Sequence, residues 1–155
     1  VQAQVTDLIR SIQAETRMGL LLITHDLAMA AELCDRAVVM YAGYVVEDIP
    51  MAQLLRGPAH PYARALLQAM PRLDTPSDQT LTTIPGELPS PRAVFGKCPF
   101  SARCAFADDE CMAGVPELRD IGDGREVRCV RPLSEDGVPA TRPARHEASG
   151  ERLSA

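Results

Sequence analysis

The chain has 155 residues, 46% of them hydrophobic, with 16 basic against 21 acidic side chains and a formal net charge of -5. That is enough apolar material for one modest core, and it leaves no sequence-wide basic field to hold nucleic acid or anionic lipid. No apolar run approaches the roughly 20 residues of a membrane-spanning helix and the N-terminus lacks a signal-peptide pattern, so a soluble, cytosolic chain is expected.

All 13 prolines lie at position 50 or later. Residues 1–49 can therefore hold uninterrupted elements, whereas the remainder is broken repeatedly, and 133–155 are polar and rich in small residues. Val1, Val5, Leu8, Ile9 and Ile12 recur at helical spacing, and Gly19 stands where a cap belongs, which predicts a helix ending near Arg17. The chain opens at Val1, already periodic, and a piece of a longer protein is expected.

The run LLLITHD at 20–26 then reads as a short strand over 20–24, covered on both faces as in a parallel α/β sheet, that stops at His25 and Asp26. Asp26 is placed to cap a helix over 27–33. Cys34, at its end beside Leu27, Ala30 and Ala31, reads as a small buried hydrophobe. Residues 36–41 and 44–47 are β-rich and separated by Ala42 and Gly43, which predicts a tight hairpin.

Two short helices are expected over 51–56 and 62–70, with Pro61 in a first turn, Tyr62, Leu66 and Leu67 packing inward, and His60 as a turn or capping residue. Residues 71–96 read as an extended linker. Residues 97–132 hold four of the five cysteines and few large apolar side chains, so a metal or disulfides must replace a conventional core there. From 133 onward disorder is the simplest expectation.

Two groups of residues could carry chemistry. His25 follows a strand, where ligands bind in open α/β sheets, and its imidazole could donate to a phosphate oxygen or steer a water. On spacing alone, a lone histidine in a turn is more often structural. Cys98, Cys104, Cys111 and Cys129 are separated by five, six and seventeen residues. A reducing compartment argues against disulfides, which leaves a bound metal or free thiols. The paired spacing of zinc knuckles is absent, and the wider loops suit a bulkier object such as an iron–sulfur cluster. Arg103, Arg125 and Arg128 stand near enough in sequence to offset a cluster's negative charge.

Two stretches carry a family resemblance. LLLITHDLAMAAELCDRAVVMYAGYVVE, residues 20–47, resembles the part of ABC-transporter ATPases that holds the switch histidine and then the helix and hairpin that close the nucleotide-binding domain. The match runs through the His25–Asp26 pair, Asp35 and Arg36, and the Met-Tyr-Ala-Gly turn at 40–43. PAHPYARALL at 58–67 resembles the His-Pro-Tyr segment in the C-terminal extension of oligopeptide and dipeptide importer ATPases, a group that includes nickel importers. IPGELPSP at 84–91 and CPFSARCAFADDEC at 98–111 continue the likeness, which covers residues 1 to about 132. Residues 91–97 depart from it, being short and poor in proline.

The resemblance implies an α/β fold: the C-terminal part of an ABC (P-loop NTPase) nucleotide-binding domain over 1–50, followed over 51–132 by a small, loop-rich metal-binding domain built on four cysteines. By the same resemblance, His25 contacts the γ-phosphate and helps hold the attacking water. Cys98, Cys104, Cys111 and Cys129 ligate a [4Fe–4S] cluster, with zinc as the second choice. The intact subunit would use ATP and Mg to energise peptide uptake. It would work from the cytoplasmic face of the membrane with a second ATPase subunit, two transmembrane permeases and an extracytoplasmic peptide-binding protein, and without nucleic acid. The cargo, whether dipeptide, oligopeptide or nickel, is not legible.

A GxxxxGK[ST] phosphate loop, an LSGGQ-like signature and a strand ending in a Mg-holding Asp and catalytic Glu are all absent from the sequence. A C-terminal portion that does not hydrolyse ATP alone is therefore expected. The competing class is a non-catalytic iron–sulfur or zinc module with a regulatory or docking role.

Overall fold

A computed structural model describes residues 2–70, 83–90 and 92–140. Helix α1 (Gln2–Thr16) ends where Arg17, at φ 54°, turns left-handed and donates its amide to the Gln13 carbonyl at 2.8 Å. Arg17 thus takes the position expected of Gly19, at about 1–2 kcal/mol of backbone strain for a residue with a Cβ. Helix α2 (Leu27–Leu33) is capped as expected, Asp26 Oδ1 accepting from the Met29 amide at 3.0 Å. Arg10 ties the two helices by donating to the Glu32 carbonyl at 2.8 Å.

The strand expected over 20–24 does not form. Residues 17–24 lie outside any helix or strand, and Leu21 and Ile23 are 88% and 92% exposed. A strand exists through its ladder, and among the described residues no neighbouring strand pairs with these backbone groups.

The hairpin is where the sequence places it. Strands β1 (Arg36–Tyr41) and β2 (Tyr44–Pro50) pair antiparallel around Ala42 and Gly43, both left-handed at φ 48° and 85°, the geometry that a two-residue turn of type I′ requires. A bulge falls between Val39 and Met40, and Val39 and Tyr41 point inward while Val38 and Met40 are exposed.

A second hairpin, β3 (Arg119–Gly122) and β4 (Arg125–Val127), completes a four-stranded sheet in the order β1-β2-β4-β3. All of its pairings are antiparallel, and none involves residues 20–24, the segment for which a parallel sheet was expected. Strand β4 lies within the cysteine-bearing region and adds to β2, Glu47 opposite Val127.

Helices α3 (Met51–Arg56) and α4 (Pro61–Gln68) follow β2. Pro61 opens α4, and His60 caps it by accepting from the Tyr62 amide on Nδ1 at 3.0 Å. The core gathers Val46, Ile49, Leu54 and Ala63 around an aromatic cluster in which Tyr41, Tyr62 and Phe100 have ring centroids 4.7–5.4 Å apart. Cys98 and Cys111 close one end of that core, and Cys34 packs against it beside Leu27, Ala30 and Ala31.

Glu47 is fully buried within this apolar surrounding. Its carboxylate accepts from the amides of Ala59 at 2.7 Å and His60 at 2.8 Å and pairs with Arg125 at 3.4 Å. Arg125 also donates to the Gly57 carbonyl at 3.3 Å. Burial raises the Glu47 carboxyl above the ordinary carboxylate range against the pull of these donors.

The stretch from Leu133, expected to lack structure, is ordered at its start. Leu133 is buried, donates its amide to the Ala59 carbonyl at 2.8 Å and bridges to Pro139. The expectations for 71–82, for 91 and for 141–155 lie outside the described residues. Residues 83–90 and 92–96 carry no helix or strand, as a linker should. No helix among the described residues is long and apolar enough to cross a membrane.

Replacing Glu47 by Ala leaves a largely buried guanidinium and two amides without their acceptor. The expected loss is about 3–5 kcal/mol of folding stability. A urea titration that returns the wild-type midpoint for Glu47→Ala would contradict this assignment.

Candidate functional site

The four cysteines reach one place from three stretches of chain. Cys98 and Cys104 flank the 3-10 turn Ser101–Arg103, Cys111 lies in the short helix α5 (Asp109–Met112), and Cys129 follows β4. Backbone bonds hold these loops: the Cys98 amide donates to the Cys111 carbonyl at 2.9 Å and the Ser101 amide to the Cys98 carbonyl at 3.0 Å. All four thiols are free, and all four line one cavity of about 20 Å³ together with His60, Phe100, Ser101, Phe106 and Arg131.

Each sulfur faces a backbone donor. The amides of Phe100 and Ser101 serve Cys98, Phe106 serves Cys104, Asp108 serves Cys111 and Arg131 serves Cys129. These bonds favour the thiolates, but burial outweighs them and raises all four thiols, Cys129 to about 12. The sulfurs also disfavour one another's ionisation. Without a cation among them the set stays protonated.

Among the described residues, no group of three or more His, Cys, Asp or Glu is placed to hold a metal ion. The thiols border a cavity and do not converge on a point.

The three arginines expected to offset charge here are engaged elsewhere. Arg103 donates to the carbonyls of Pro85 at 2.8 Å and Ile84 at 3.0 Å and lies over the Tyr41 ring. Arg125 serves Glu47, while Arg128 donates to Val45 and Pro116 carbonyls, both at 2.8 Å, and lies over Tyr44. The cation lining the cavity is Arg131, ion-paired with Asp108. Although burial opposes it, the Cys111 amide and Arg131 hold the Asp108 carboxyl below its usual range. Arg131 is two residues beyond Cys129, so sequence proximity alone could have suggested it.

His60 borders the same cavity. Burial pushes its imidazole down to about 4 although the ring bonds the Arg128 backbone, so it is neutral at physiological pH.

His25 is not brought to the cysteines. It sits exposed in a bend, between Thr24, whose Oγ1 accepts from the Asp26 amide at 2.9 Å, and the Asp26 cap of α2. It also lies outside a second cleft, of about 380 Å³, which runs between the Ala42–Gly43 turn and the linker and is lined by Tyr41, Tyr62 and Phe95.

Residues 46–111 match the family model described as the oligopeptide/dipeptide transporter, C-terminal region. The chain is 41% identical over 136 residues to a protein of Brucella ovis provisionally named a peptide import ATP-binding protein, covering 84% of this chain and 40% of that one. It is 43% identical over 131 residues to the oligopeptide transport ATP-binding protein OppD of Mycobacterium tuberculosis, covering 84% of this chain and 21% of OppD. To the dipeptide transport ATP-binding protein DppD of Escherichia coli it is 39% identical over 139 residues, 90% of this chain and 42% of DppD. The chain is similar to the peptide-import ATP-binding proteins. It matches a C-terminal portion of such a subunit and spans about two fifths of the length of the first relatives matched.

The matched region begins inside β2 and ends at Cys111, so it takes in Cys98, Cys104 and Cys111 and stops short of Cys129. His25 and the β1 strand precede it.

Arg103 links the cysteine loop to the linker at Ile84 and Pro85. Arg103→Ala removes charged hydrogen bonds worth about 1.5–3 kcal/mol, so amide exchange at residues 84–87 is expected to speed up about tenfold or more. Unchanged exchange there would show that Arg103 does not hold the linker.

Proposed function

We propose that this chain is the C-terminal part of an ATPase subunit that energises peptide uptake through an ABC importer, and that it brings two devices to that subunit: a phosphate-sensing histidine and a four-cysteine cofactor site. The observation that carries the reading is a single continuous fold in which the β1–β2 hairpin, expected to close a nucleotide-binding domain, shares its core with Cys98, Phe100 and Cys111 of the matched family region and its sheet with β4, which leads into Cys129.

Phosphoryl transfer is mostly positioning and electrostatic stabilisation of charge on the transferred group. A directional donor in a short turn suits that work. His25 has such a base, because Thr24 pins the Asp26 amide and Asp26 pins the start of α2. In the intact subunit, each ATP with its Mg would be sandwiched between this subunit and a paired ATPase, with His25 at the γ-phosphate, and closure of the pair would drive two permeases supplied by an extracytoplasmic peptide-binding protein. The subunit would act at the cytoplasmic face of the membrane.

Cys98, Cys104, Cys111 and Cys129 would hold an iron–sulfur cluster. Three features support it: an all-sulfur donor set, a backbone amide at each sulfur, and a cavity in place of a single convergence point. The cavity is small, but metal–thiolate bonds of about 2.3 Å are far shorter than non-bonded contacts of about 3.5–4.0 Å. A group bonded to the walls therefore needs less room than a loose guest. When bound, the cluster would cross-link the three cysteine segments, while Arg131 offsets part of its charge. Zinc in a regulatory module is the second reading, favoured by nothing in the spacing of the cysteines.

In the subunit carrying this chain, His25→Ala should lower ATP turnover about 100- to 1,000-fold, the usual effect of losing one transition-state donor, while nucleotide binding persists. Wild-type turnover would remove the switch role. Protein purified without oxygen should be brown, contain iron and acid-labile sulfide, and lose both on Cys104→Ser. A colourless chain with stoichiometric zinc would favour the second reading.

A further inference from the structure

Ser101 lies between Cys98 and Cys104 at the start of the 3-10 turn and is 5% exposed. It lines the cysteine cavity, and among the described residues its Oγ is a buried polar atom with no hydrogen-bond partner. Its backbone is already in use: the amide donates to the Cys98 carbonyl at 3.0 Å, and the carbonyl accepts from the Cys104 amide at 3.4 Å. Only the hydroxyl is left over.

A buried hydroxyl without a partner costs about 1–3 kcal/mol, and such groups are almost always satisfied. The other walls offer it little. Phe100, Phe106 and Val130 are apolar, Arg131 is a donor, and the His60 ring is engaged by the Tyr62 amide and the Arg128 backbone. An acceptor for this O–H must therefore sit within the cavity, beside the four sulfurs.

We propose that Ser101 Oγ donates a hydrogen bond to a sulfur atom of the cluster held by Cys98, Cys104, Cys111 and Cys129, and so sets its reduction potential. This rests on the iron–sulfur reading of the cavity. Adding one electron to a cluster increases the negative charge on its sulfurs, and a donor aimed at one of them stabilises the reduced form more than the oxidised form. Ser101 is thus a positioning and tuning residue, not a ligand.

The test uses the full chain purified without oxygen, with iron and sulfide measured first. The midpoint potential is then found by mediated titration with dithionite for the wild type and for Ser101→Ala, Ser101→Val and Ser101→Thr. The Ala and Val variants should carry full iron and sulfide and titrate at a more negative potential, while Thr, which keeps the hydroxyl in nearly the shape of Val, stays at the wild-type value. A fully loaded Ser101→Ala with the wild-type midpoint overturns the proposal. So does a Thr variant displaced as far as Val, because shape alone would then be acting. If Ala and Val fail to retain iron and Thr retains it, the hydroxyl contact is supported by loading instead. A wild-type chain that binds zinc or no metal sinks the cavity reading and this proposal with it, a result told apart by the metal content before any potential is read.

Discussion

One carboxylate holds the fold in register. Glu47 belongs to β2, yet its acceptor oxygens serve the amides that lead into α4 and the guanidinium that β4 contributes. A charge buried this deeply is tolerable only when its lone pairs are filled, so hairpin, helix and distant strand must arrive together. Each of those partners in turn orients something else. The His60 amide that Glu47 accepts belongs to the imidazole that caps α4, and that ring bonds the backbone of Arg128, next to Cys129. Hydrogen bonds thus run from a β2 carboxylate through His60 to the backbone of the residue that precedes Cys129.

The cavity draws its character from opposing demands on the same sulfurs. Backbone amides invite negative charge, while burial and the neighbouring thiols resist it. A bound cationic group resolves the conflict, because it ionises its ligands and removes their mutual repulsion at once. The arginines near the cysteines in sequence do not resolve it. Their long side chains find backbone carbonyls and aromatic faces on the way, and those contacts knit the cysteine loops to the hairpin and to the linker.

Where local chemistry decides the structure, the sequence is readable. Asp26 and His60 announce the starts of α2 and α4, and Ala42–Gly43 places the first turn, because caps and tight turns depend on a few adjacent atoms. The second hairpin had its own signal in Asp123–Gly124, hidden by weak apolar alternation around it. The cysteine spacing pointed to a shared site, though not to Arg131 as its cation or to Ser101 at its wall. Residues 20–24 were the opposite case: their composition is that of a strand, but a strand needs partners, and a run of apolar side chains does not specify them.

The place of β4 in the sheet also bears on how such a chain is made. Cys98, Cys104 and Cys111 emerge from the ribosome close together, whereas Cys129 follows β4, which must find β2 far back along the polypeptide. The Cys129 wall of the cavity is therefore complete only where β4 has paired with β2. A group that bound all four thiols would therefore favour molecules in which β4 has joined the sheet over stalled or misfolded ones.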